Sequence, residues 1–215
     1  DREFPKLARI FNLHRKFSGL LVDGIELPSA YGKYAVSRGD DKTRLITLRN
    51  LTWEPQKVKI VLNHEIGLEE CKHVKCRLYH PVERILGIYN YGESVEVTVL
   101  PFRSMLFYAS ADESLDGIGV EGTDFEIIKD VAGKPIEINL LGFAGTQSHI
   151  KLNNLPGVEK IEMDGQDVTK KLSNSKTMNI NFEGGKYSKS YHRKIADLSP
   201  FLFDGQNPVP ISPSN

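Results

Sequence analysis

Residues 44–62, with the sequence RLITLRNLTWEPQKVKIVL, constrain the fold more than any other stretch of this chain. Apolar side chains stand at every second position on both sides of a central turn: Ile46, Leu48, Val58, Ile60 and Leu62. Because successive side chains of a strand point to opposite faces, this period of two predicts two strands with one face on a core. The turn between them is predicted at Trp53, Glu54 and Pro55. The stretch is therefore a β-structure nucleus rather than a reaction centre, and we expect its two strands to form the first pair of a sandwich.

Length and charge limit the remaining possibilities. A chain of 215 residues suits two modest domains or one large sandwich, since one domain typically has ~100–150 residues. Lysine and arginine together number 28, as do aspartate and glutamate, so no net field draws the whole chain to nucleic acid or to an anionic membrane. No apolar run approaches the roughly 18–20 residues that span a bilayer. We therefore expect neither a nucleic-acid partner nor membrane insertion.

The N-terminal part has a helical pattern. Pro5 suits the first turn of a helix. Side chains spaced three or four apart form one apolar face over residues 5–21: Leu7, Ile10, Phe11, His14 and Phe17. Such a face needs a partner surface, and we expect the helix to be the end of a missing domain. Glycine, proline, aspartate and serine then become frequent in residues 22–41, which predicts a linker with one possible short strand at residues 34–37.

Strand patterns separated by turn residues fill most of the remaining chain. The first half adds four strands, at residues 74–79, 84–89, 94–102 and 104–109. The second half adds five, at residues 125–129, 136–141, 148–152, 158–163 and 177–182, with a tight turn at Asp164–Gly165. Short strands at this spacing are typical of antiparallel sandwiches. We predict an all-β protein of two antiparallel β-sandwich domains preceded by one N-terminal α-helix.

The predicted divisions follow the changes in composition. They are an N-terminal helix and linker at 1–30, a first β-sandwich domain at 31–112, a second at 113–199 and a proline-rich tail at 200–215. The boundary near residue 112 is placed where aspartate, glutamate, serine and glycine accumulate.

The sequence lacks the motifs of common catalytic and metal sites. It has no G-x-S-x-G nucleophile elbow, phosphate-binding loop, zinc-binding helix or calcium loop. His64–Glu65 begins like a zinc-protease motif, but Leu68 stands where a second histidine is needed. We predict no catalytic residue, no metal and no cofactor. Cys71 and Cys76 are expected to be free thiols, with a local disulfide as the alternative in an oxidising compartment.

Acidic and aromatic residues are the candidates for cleaving or binding a sugar. Cleavage of a glycoside needs two carboxyl groups about 5–10 Å apart in a cleft. Most carboxylates instead fall on the predicted polar faces of strands, and examples are Glu96, Glu137 and Glu162. Trp53, Tyr89 and Tyr91 are candidates for a flat carbohydrate-binding platform, because aromatic faces stack on apolar C–H patches. The alternative is that Trp53 fixes a turn while the two tyrosines close the edge of the sandwich.

Two further patterns have ordinary alternatives. Basic and aromatic residues interleave near the C-terminus, and a solvated or interdomain face is favoured there over a nucleic-acid groove: Lys186, Tyr187, Lys189, Tyr191, Arg193 and Lys194. Asn50–Leu51–Thr52 matches a glycosylation sequon, which has meaning only in a secreted eukaryotic protein.

Three short motifs carry a resemblance to a known family. Ser37–Arg38–Gly39 leads into a strand that ends in Leu48–Arg49–Asn50, and Pro55–Gln56 leads into the next strand. YGESVEVTVLPFRSMLFYA follows at residues 91–109. This order of strands and turns, over residues 5–110, resembles the region that follows the catalytic barrel in bacterial α-galactosidase-like glycoside hydrolases. The resemblance implies a C-terminal β-sandwich region without the catalytic aspartates, and a first helix similar to the last helix of the barrel.

The resemblance also implies a function. We expect a non-catalytic C-terminal accessory region of a bacterial glycoside hydrolase that packs on or extends the catalytic barrel, with contact to polysaccharide or oligosaccharide as an option. The chain itself is expected not to be an enzyme, and its partner is the upstream catalytic domain. A secreted, periplasmic or cell-surface location is favoured. The alternative is an independent carbohydrate-binding or protein-interaction module.

Overall fold

The computed structural model describes residues 4–112, 117–153, 158–175 and 177–183 of the chain. Contacts divide the chain into a larger unit, Asp1–Gly142 with Gln147–Asn181, and a smaller one, Phe143–Thr146 with Phe182–Asn215. In the smaller unit, the Gly145 amide donates to the Phe182 carbonyl at 2.7 Å. The Thr146 hydroxyl donates to the Phe143 carbonyl there at 2.6 Å.

Strands dominate the described residues. The helices are α1 (Phe4–Phe17) and a short α2 (Thr169–Ser175). The strands of the first half are β1 (Gly24–Glu26), β2 (Val36–Gly39), β3 (Thr43–Arg49), β4 (Gln56–Val61), β5 (Val74–His80), β6 (Arg84–Tyr89), β7 (Ser94–Val99) and β8 (Ser104–Ser110). Those of the second half are β9 (Gly119–Glu121), β10 (Asp124–Lys129), β11 (Glu137–Leu141), β12 (Thr146–Asn153), β13 (Glu162–Met163), β14 (Gln166–Asp167) and β15 (Thr177–Phe182). The prediction of an all-β protein with an N-terminal helix is confirmed.

Two antiparallel layers build the first half. One is a six-stranded sheet in the order β1-β2-β3-β8-β5-β6, and the other is the pair β4-β7. The two strands of residues 44–62 do not pair with each other, contrary to our expectation. β3 pairs with β2 and β8, whereas β4 pairs with β7. Residues 50–55 connect the two layers, and this crossing lets the apolar faces of β3 and β4 pack against each other in one core.

The core of the first half is formed by inward-facing residues of both layers. Its members include the alternating residues of β3, β4 and β7 and Leu62, which directly follows β4: Ile46, Leu48, Val58, Ile60, Leu62, Val95, Val97 and Val99. The predicted inner faces of these strands are therefore confirmed. Leu45, which points to the other side of β3, is buried as well and belongs to a second cluster under helix α1. Both faces of β3 are thus covered.

Helix α1 packs on the outer face of the six-stranded sheet. Phe17 contacts Tyr79 of β5 and Tyr108 of β8, with ring centroids 5.7 and 5.6 Å apart. Leu13 and Leu45 belong to the same buried cluster. Burial of a side chain of this size stabilises a fold by roughly 1.5–3 kcal/mol.

The predicted apolar face of α1 is not the face that docks. Phe17 is buried, but Leu7, Ile10 and Phe11 are about half to two thirds exposed, and His14 is exposed too. The docking side carries polar groups that hydrophobic periodicity ignores. Arg9 binds Glu83 at 2.7 Å and Asp130 at 3.0 Å, which directs that side of the helix towards the sheet.

Smaller antiparallel sheets make up the second half. β10 pairs with β11, β12 lies between β15 and β9, and β13 pairs with β14. Asp164 and Gly165 have φ angles of 50° and 78°, so the predicted tight turn is confirmed. The strand predicted at 158–163 is reduced to Glu162–Met163. Helix α2 was not predicted, because seven residues with one buried leucine give no periodic signal.

Gly39 accounts for one of the three motifs. Its φ is 142°, and a Cβ atom at this position would lie 1.9 Å from the Thr43 carbonyl oxygen. The preceding Ser37 is buried and donates its hydroxyl to the Ile66 carbonyl at 2.7 Å. The Ser37–Arg38–Gly39 motif is therefore explained by the β2–β3 hairpin and its contact with the neighbouring loop.

The domain limits predicted from the sequence stay predictions. Within the predicted linker, Gly24–Glu26 pairs with β2 as the edge strand of the six-stranded sheet. The predicted tail at 200–215 and the basic and aromatic cluster at 186–194 lie outside the described residues.

Candidate functional site

Two loops meet at one end of the first-half sandwich. β3 ends at Arg49, which pairs with Ser104 at the start of β8, so residues 50–55 and 100–103 leave the sheet side by side. Four large apolar side chains on these loops are more than half exposed: Leu51, Trp53, Leu100 and Phe102. We call these four residues the apolar tip. Contiguous exposed apolar groups of this kind mark binding surfaces more often than single exposed residues do.

Asn50 holds the first loop in place. Its side chain is only 1% exposed, and its Nδ2 donates to the carbonyls of Glu54 at 2.7 Å and Val99 at 2.9 Å. Its Oδ1 accepts from the Thr52 amide at 2.8 Å and the Thr52 hydroxyl at 2.7 Å. The backbone N–H of Asn50 also donates to the Arg103 carbonyl at 2.9 Å, and this bond connects the two loops. All the hydrogen-bonding capacity of this buried amide is used.

Trp53 and Phe102 form an aromatic pair on these anchored loops. Their ring centroids are 4.6 Å apart and their planes are 82° apart, an edge-to-face arrangement. Trp53 remains 83% exposed and Phe102 52% exposed. Phe102 has a φ of 52°, in the left-handed region that bulky residues rarely adopt. The loop therefore holds the backbone of Phe102 in a conformation that costs about 1–3 kcal/mol.

Polar side chains border the apolar tip. Arg49, Glu54 and Arg103 are exposed, and Gln56 Nε2 lies 3.4 Å from the Thr52 hydroxyl. These groups include both donors and acceptors of hydrogen bonds. The arrangement can therefore present a rigid aromatic surface to a ligand and offer hydrogen bonds at its margin.

The two predicted tyrosines lie elsewhere. Tyr91 follows β6 at the end of the β4–β7 pair where Val61 meets Ser94, whereas Trp53 precedes the opposite end, where Gln56 meets Val99. These ends are roughly 17 Å apart, since a strand rises about 3.3 Å per residue. Trp53, Tyr89 and Tyr91 therefore do not form one platform.

Both tyrosines have structural contacts. Tyr89 donates its hydroxyl to the Leu86 carbonyl at 3.2 Å, and the Tyr91 hydroxyl accepts from the His64 amide at 3.1 Å. Both rings pack against the first-half core. The alternative in which the tyrosines close the edge of the sandwich fits these contacts. Phe102 is the aromatic residue that the sequence analysis missed, because the predicted strand 94–102 includes it, whereas β7 ends at Val99. Pro101, which suits a turn rather than a strand interior, was the available signal.

The sequon at Asn50 has a structural explanation. The Nδ2 atom that would carry a glycan is buried and donates to two carbonyl groups. Attachment of a sugar there replaces one of the two N–H hydrogens and so breaks at least one of these hydrogen bonds at a buried atom, which disfavours this sequon as an acceptor in the folded protein. The same contacts explain the Leu48–Arg49–Asn50 motif, in which Leu48 enters the core and Asn50 holds the loop.

A buried ion network joins helix α1 to the sheet. Glu83, 4% exposed, accepts hydrogen bonds from Arg77 and from Arg9, and Arg9 also binds Asp130. Burial lowers the pKa of Arg9, but the hydrogen bond to Glu83 and the charges of Glu83, Tyr79 and Asp130 together outweigh burial, so this pKa lies above its ordinary value. Because each charge in the network has a partner, the cluster is explained by anchoring of the helix.

A cleft of about 440 Å³ opens beside this network. Among its lining residues are Arg77, Glu121 and Lys151. Lys151 lies 3.4 Å from Glu121, and Arg77 binds Glu83, so these charged groups satisfy one another within the fold.

The remaining candidates are also accounted for. Glu65 accepts the Tyr31 hydroxyl at 2.6 Å, and burial together with this carboxylate raises the pKa of Tyr31 to about 12. No group of three acidic, histidine or cysteine side chains that could hold a metal occurs among the described residues. Cys71 and Cys76 are free thiols, and burial raises the pKa of both. Among the described helices, none is long and apolar enough to cross a membrane.

Comparisons with known proteins give little beyond this. No family model matches the chain, and no curated protein matches it. Among solved structures, a Bacillus halodurans C-125 chain inferred to be an alpha-N-acetylgalactosaminidase aligns with 38% of this chain at 21% identity and a TM-score of 0.31. The aligned part spans 18% of that chain. This partial likeness to a glycoside hydrolase carries no argument about fold or activity.

Proposed function

We propose that this chain is a non-catalytic accessory region of a glycoside hydrolase and that it docks on the catalytic domain through helix α1. One observation supports the proposal above all others. The outward face of α1 carries four large apolar side chains that are 49–67% exposed: Phe4, Leu7, Ile10 and Phe11. The resemblance carried by residues 5–110 makes the last helix of a catalytic barrel the counterpart of α1.

The helix that carries this face is firmly anchored. Besides the two ion pairs of Arg9, Asn12 Nδ2 donates to the Asp130 carbonyl at 2.9 Å, and Lys6 lies 3.6 Å from Glu126. The buried side is held by Phe17 between two tyrosine rings. Since the helix is attached on one side, its apolar outer face is a fixed surface, and such surfaces favour burial against a partner.

The proposal assigns no catalytic role to this chain. The acidic residues predicted on strand faces have lysine partners at the surface: Glu96 with Lys57 at 3.0 Å, Glu137 with Lys129 at 2.6 Å and Glu162 with Lys160 at 2.5 Å. A glycosidase instead needs two carboxyl groups that face one another across a cleft. We therefore attribute catalysis to the proposed upstream domain.

The experiment uses a parent chain with the catalytic domain present. Leu7→Ser with Phe11→Ser should lower the unfolding temperature of the catalytic domain and speed its release by limited proteolysis, because the docking face loses apolar contact. Lys59→Ser, an exposed change on β4 and away from helix α1, is the control and should have a much smaller effect.

Two results would count against the proposal. One is glycosidase turnover by the present chain after purification to homogeneity. The other is a stable dimer of the present chain in sedimentation equilibrium that Phe11→Ser dissociates, since the helix face would then be covered by a second copy.

A further inference from the structure

We propose that the apolar tip is a carbohydrate-binding site at which the C–H face of a neutral pyranose ring stacks on Trp53. This site differs from the three-residue platform suggested by the sequence, because Phe102 replaces the two tyrosines as the partner of Trp53. The inference does not rest on docking through helix α1, since the tip is formed by the β3–β4 and β7–β8 loops.

The first step of the argument is the accessibility of the indole. The edge-to-face contact with Phe102 covers little of Trp53, which stays 83% exposed. Stacking on a sugar requires an open aromatic face held in one orientation. Trp53 meets the first condition through its exposure, and its contact with Phe102 favours one orientation of the ring.

The second step is preorganisation. A buried, fully bonded Asn50 fixes the loop that carries Trp53, and the backbone of Phe102 is held at a φ of 52°. Nothing in the described core uses the Trp53 ring, so its placement is not explained by packing. A surface whose backbone is already ordered loses less entropy when a ligand binds.

The third step identifies the chemistry of the ligand. The exposed side chains next to the tip carry both signs of charge, Arg49 and Arg103 on one hand and Glu54 on the other. Sugar hydroxyls donate and accept hydrogen bonds, so they can use both kinds of group. An anionic membrane surface would attract the two guanidinium groups but repel the carboxylate, which makes it the less suitable partner.

The experiment exploits the fact that Trp53 is the single tryptophan of the chain. Tryptophan fluorescence is titrated with soluble neutral polysaccharides, namely a galactomannan, a xylan and a mixed-linkage β-glucan, and mobility is measured in gels that contain each of them. We expect at least one polysaccharide to change the emission and to retard the protein.

Matched variants locate the site. Trp53→Ala should weaken retardation by about tenfold or more, as removal of a central aromatic contact does in other interfaces. Phe102→Ala should weaken binding and keep the fluorophore, whereas Tyr91→Phe should bind like the unaltered chain. Because Trp53 is exposed, Trp53→Ala should keep the thermal midpoint, which shows that lost binding is not lost folding.

Three outcomes would overturn the inference. The first is no retardation and no emission change with any of the polysaccharides. The second is binding that Trp53→Ala leaves unchanged. The third is sedimentation with vesicles of phosphatidylcholine and phosphatidylserine in the absence of any polysaccharide response, which would assign the tip to membranes.

Discussion

The orientation of helix α1 can be tested by comparing two phenylalanines on opposite sides of it. Phe17 is 2% exposed and contacts two tyrosine rings, whereas Phe11 is 62% exposed. Truncation of a buried phenylalanine to alanine costs about 3–5 kcal/mol, because apolar area returns to water and a cavity remains. Truncation of an exposed residue usually changes stability by no more than ~0.5 kcal/mol.

The measurement is equilibrium unfolding in urea of the unaltered chain and of the two variants. Phe17→Ala should lower the free energy of unfolding by about 3–5 kcal/mol with little change in the slope. For a chain of this size the thermal midpoint should then fall by roughly 6–20 °C, at about 2–4 °C per kcal/mol. Phe11→Ala should be nearly neutral. A larger loss from Phe11→Ala than from Phe17→Ala would refute the described orientation of the helix.

Three further predictions concern the same fold. Glu83→Gln should destabilise the chain by about 3 kcal/mol in urea unfolding, because Arg77 is left buried without its charged partner; a change below 1 kcal/mol would contradict this. Gly39→Ala should cost about 2 kcal/mol or more, and clearly more than Gly92→Ala, since both have positive φ but only Gly39 would place a Cβ against backbone. Burial and the positive charges of Arg103 and Lys6 lower the pKa of His80 in the folded chain. Below about pH 6.5 the unfolded chain therefore binds a proton at His80 more readily than the folded chain does. The free energy of unfolding falls as pH falls through the folded-state pKa. His80→Gln should therefore reduce the fall in thermal midpoint between pH 7 and pH 5, and an unchanged fall would exclude this contribution.

The strands could be predicted because their chemistry is local. Val95, Val97 and Val99 alternate with polar residues, and the structure buries all three. Pairing could not be predicted in the same way. Whether β4 pairs with β3 or lies in the other layer depends on where their apolar faces meet, and this is decided by the packing of the whole sandwich. The same holds for α1, whose docking side depends on Arg9 and on the distant Glu83.

The candidate site was predictable only in part. Trp53 is a candidate from the sequence because an aromatic face can stack on a sugar ring, but its partner Phe102 lies 49 positions later and becomes its neighbour only when β3 and β8 pair. Tyr89 and Tyr91 are close in sequence to a turn, yet the Tyr89 hydroxyl donates to the Leu86 carbonyl within β6 and the Tyr91 hydroxyl accepts from the His64 amide. Proximity in the chain therefore suggested aromatic residues that the fold places at different ends of the sandwich, and a carbohydrate-binding role for them stays a prediction.

Asn50 and Trp53 illustrate how fold and function separate within one loop. The buried amide of Asn50 makes four hydrogen bonds, so the fold itself requires it and its presence says nothing about a ligand. Trp53 makes one ring contact and is otherwise in solvent, so the fold does not require a residue of this size. The same contrast separates Phe17 from Phe11 on α1. On the apolar tip and on the outer face of α1, packing within the fold does not explain the exposed aromatic residues Trp53 and Phe11. Loss of function and loss of stability can therefore be measured independently at these two surfaces.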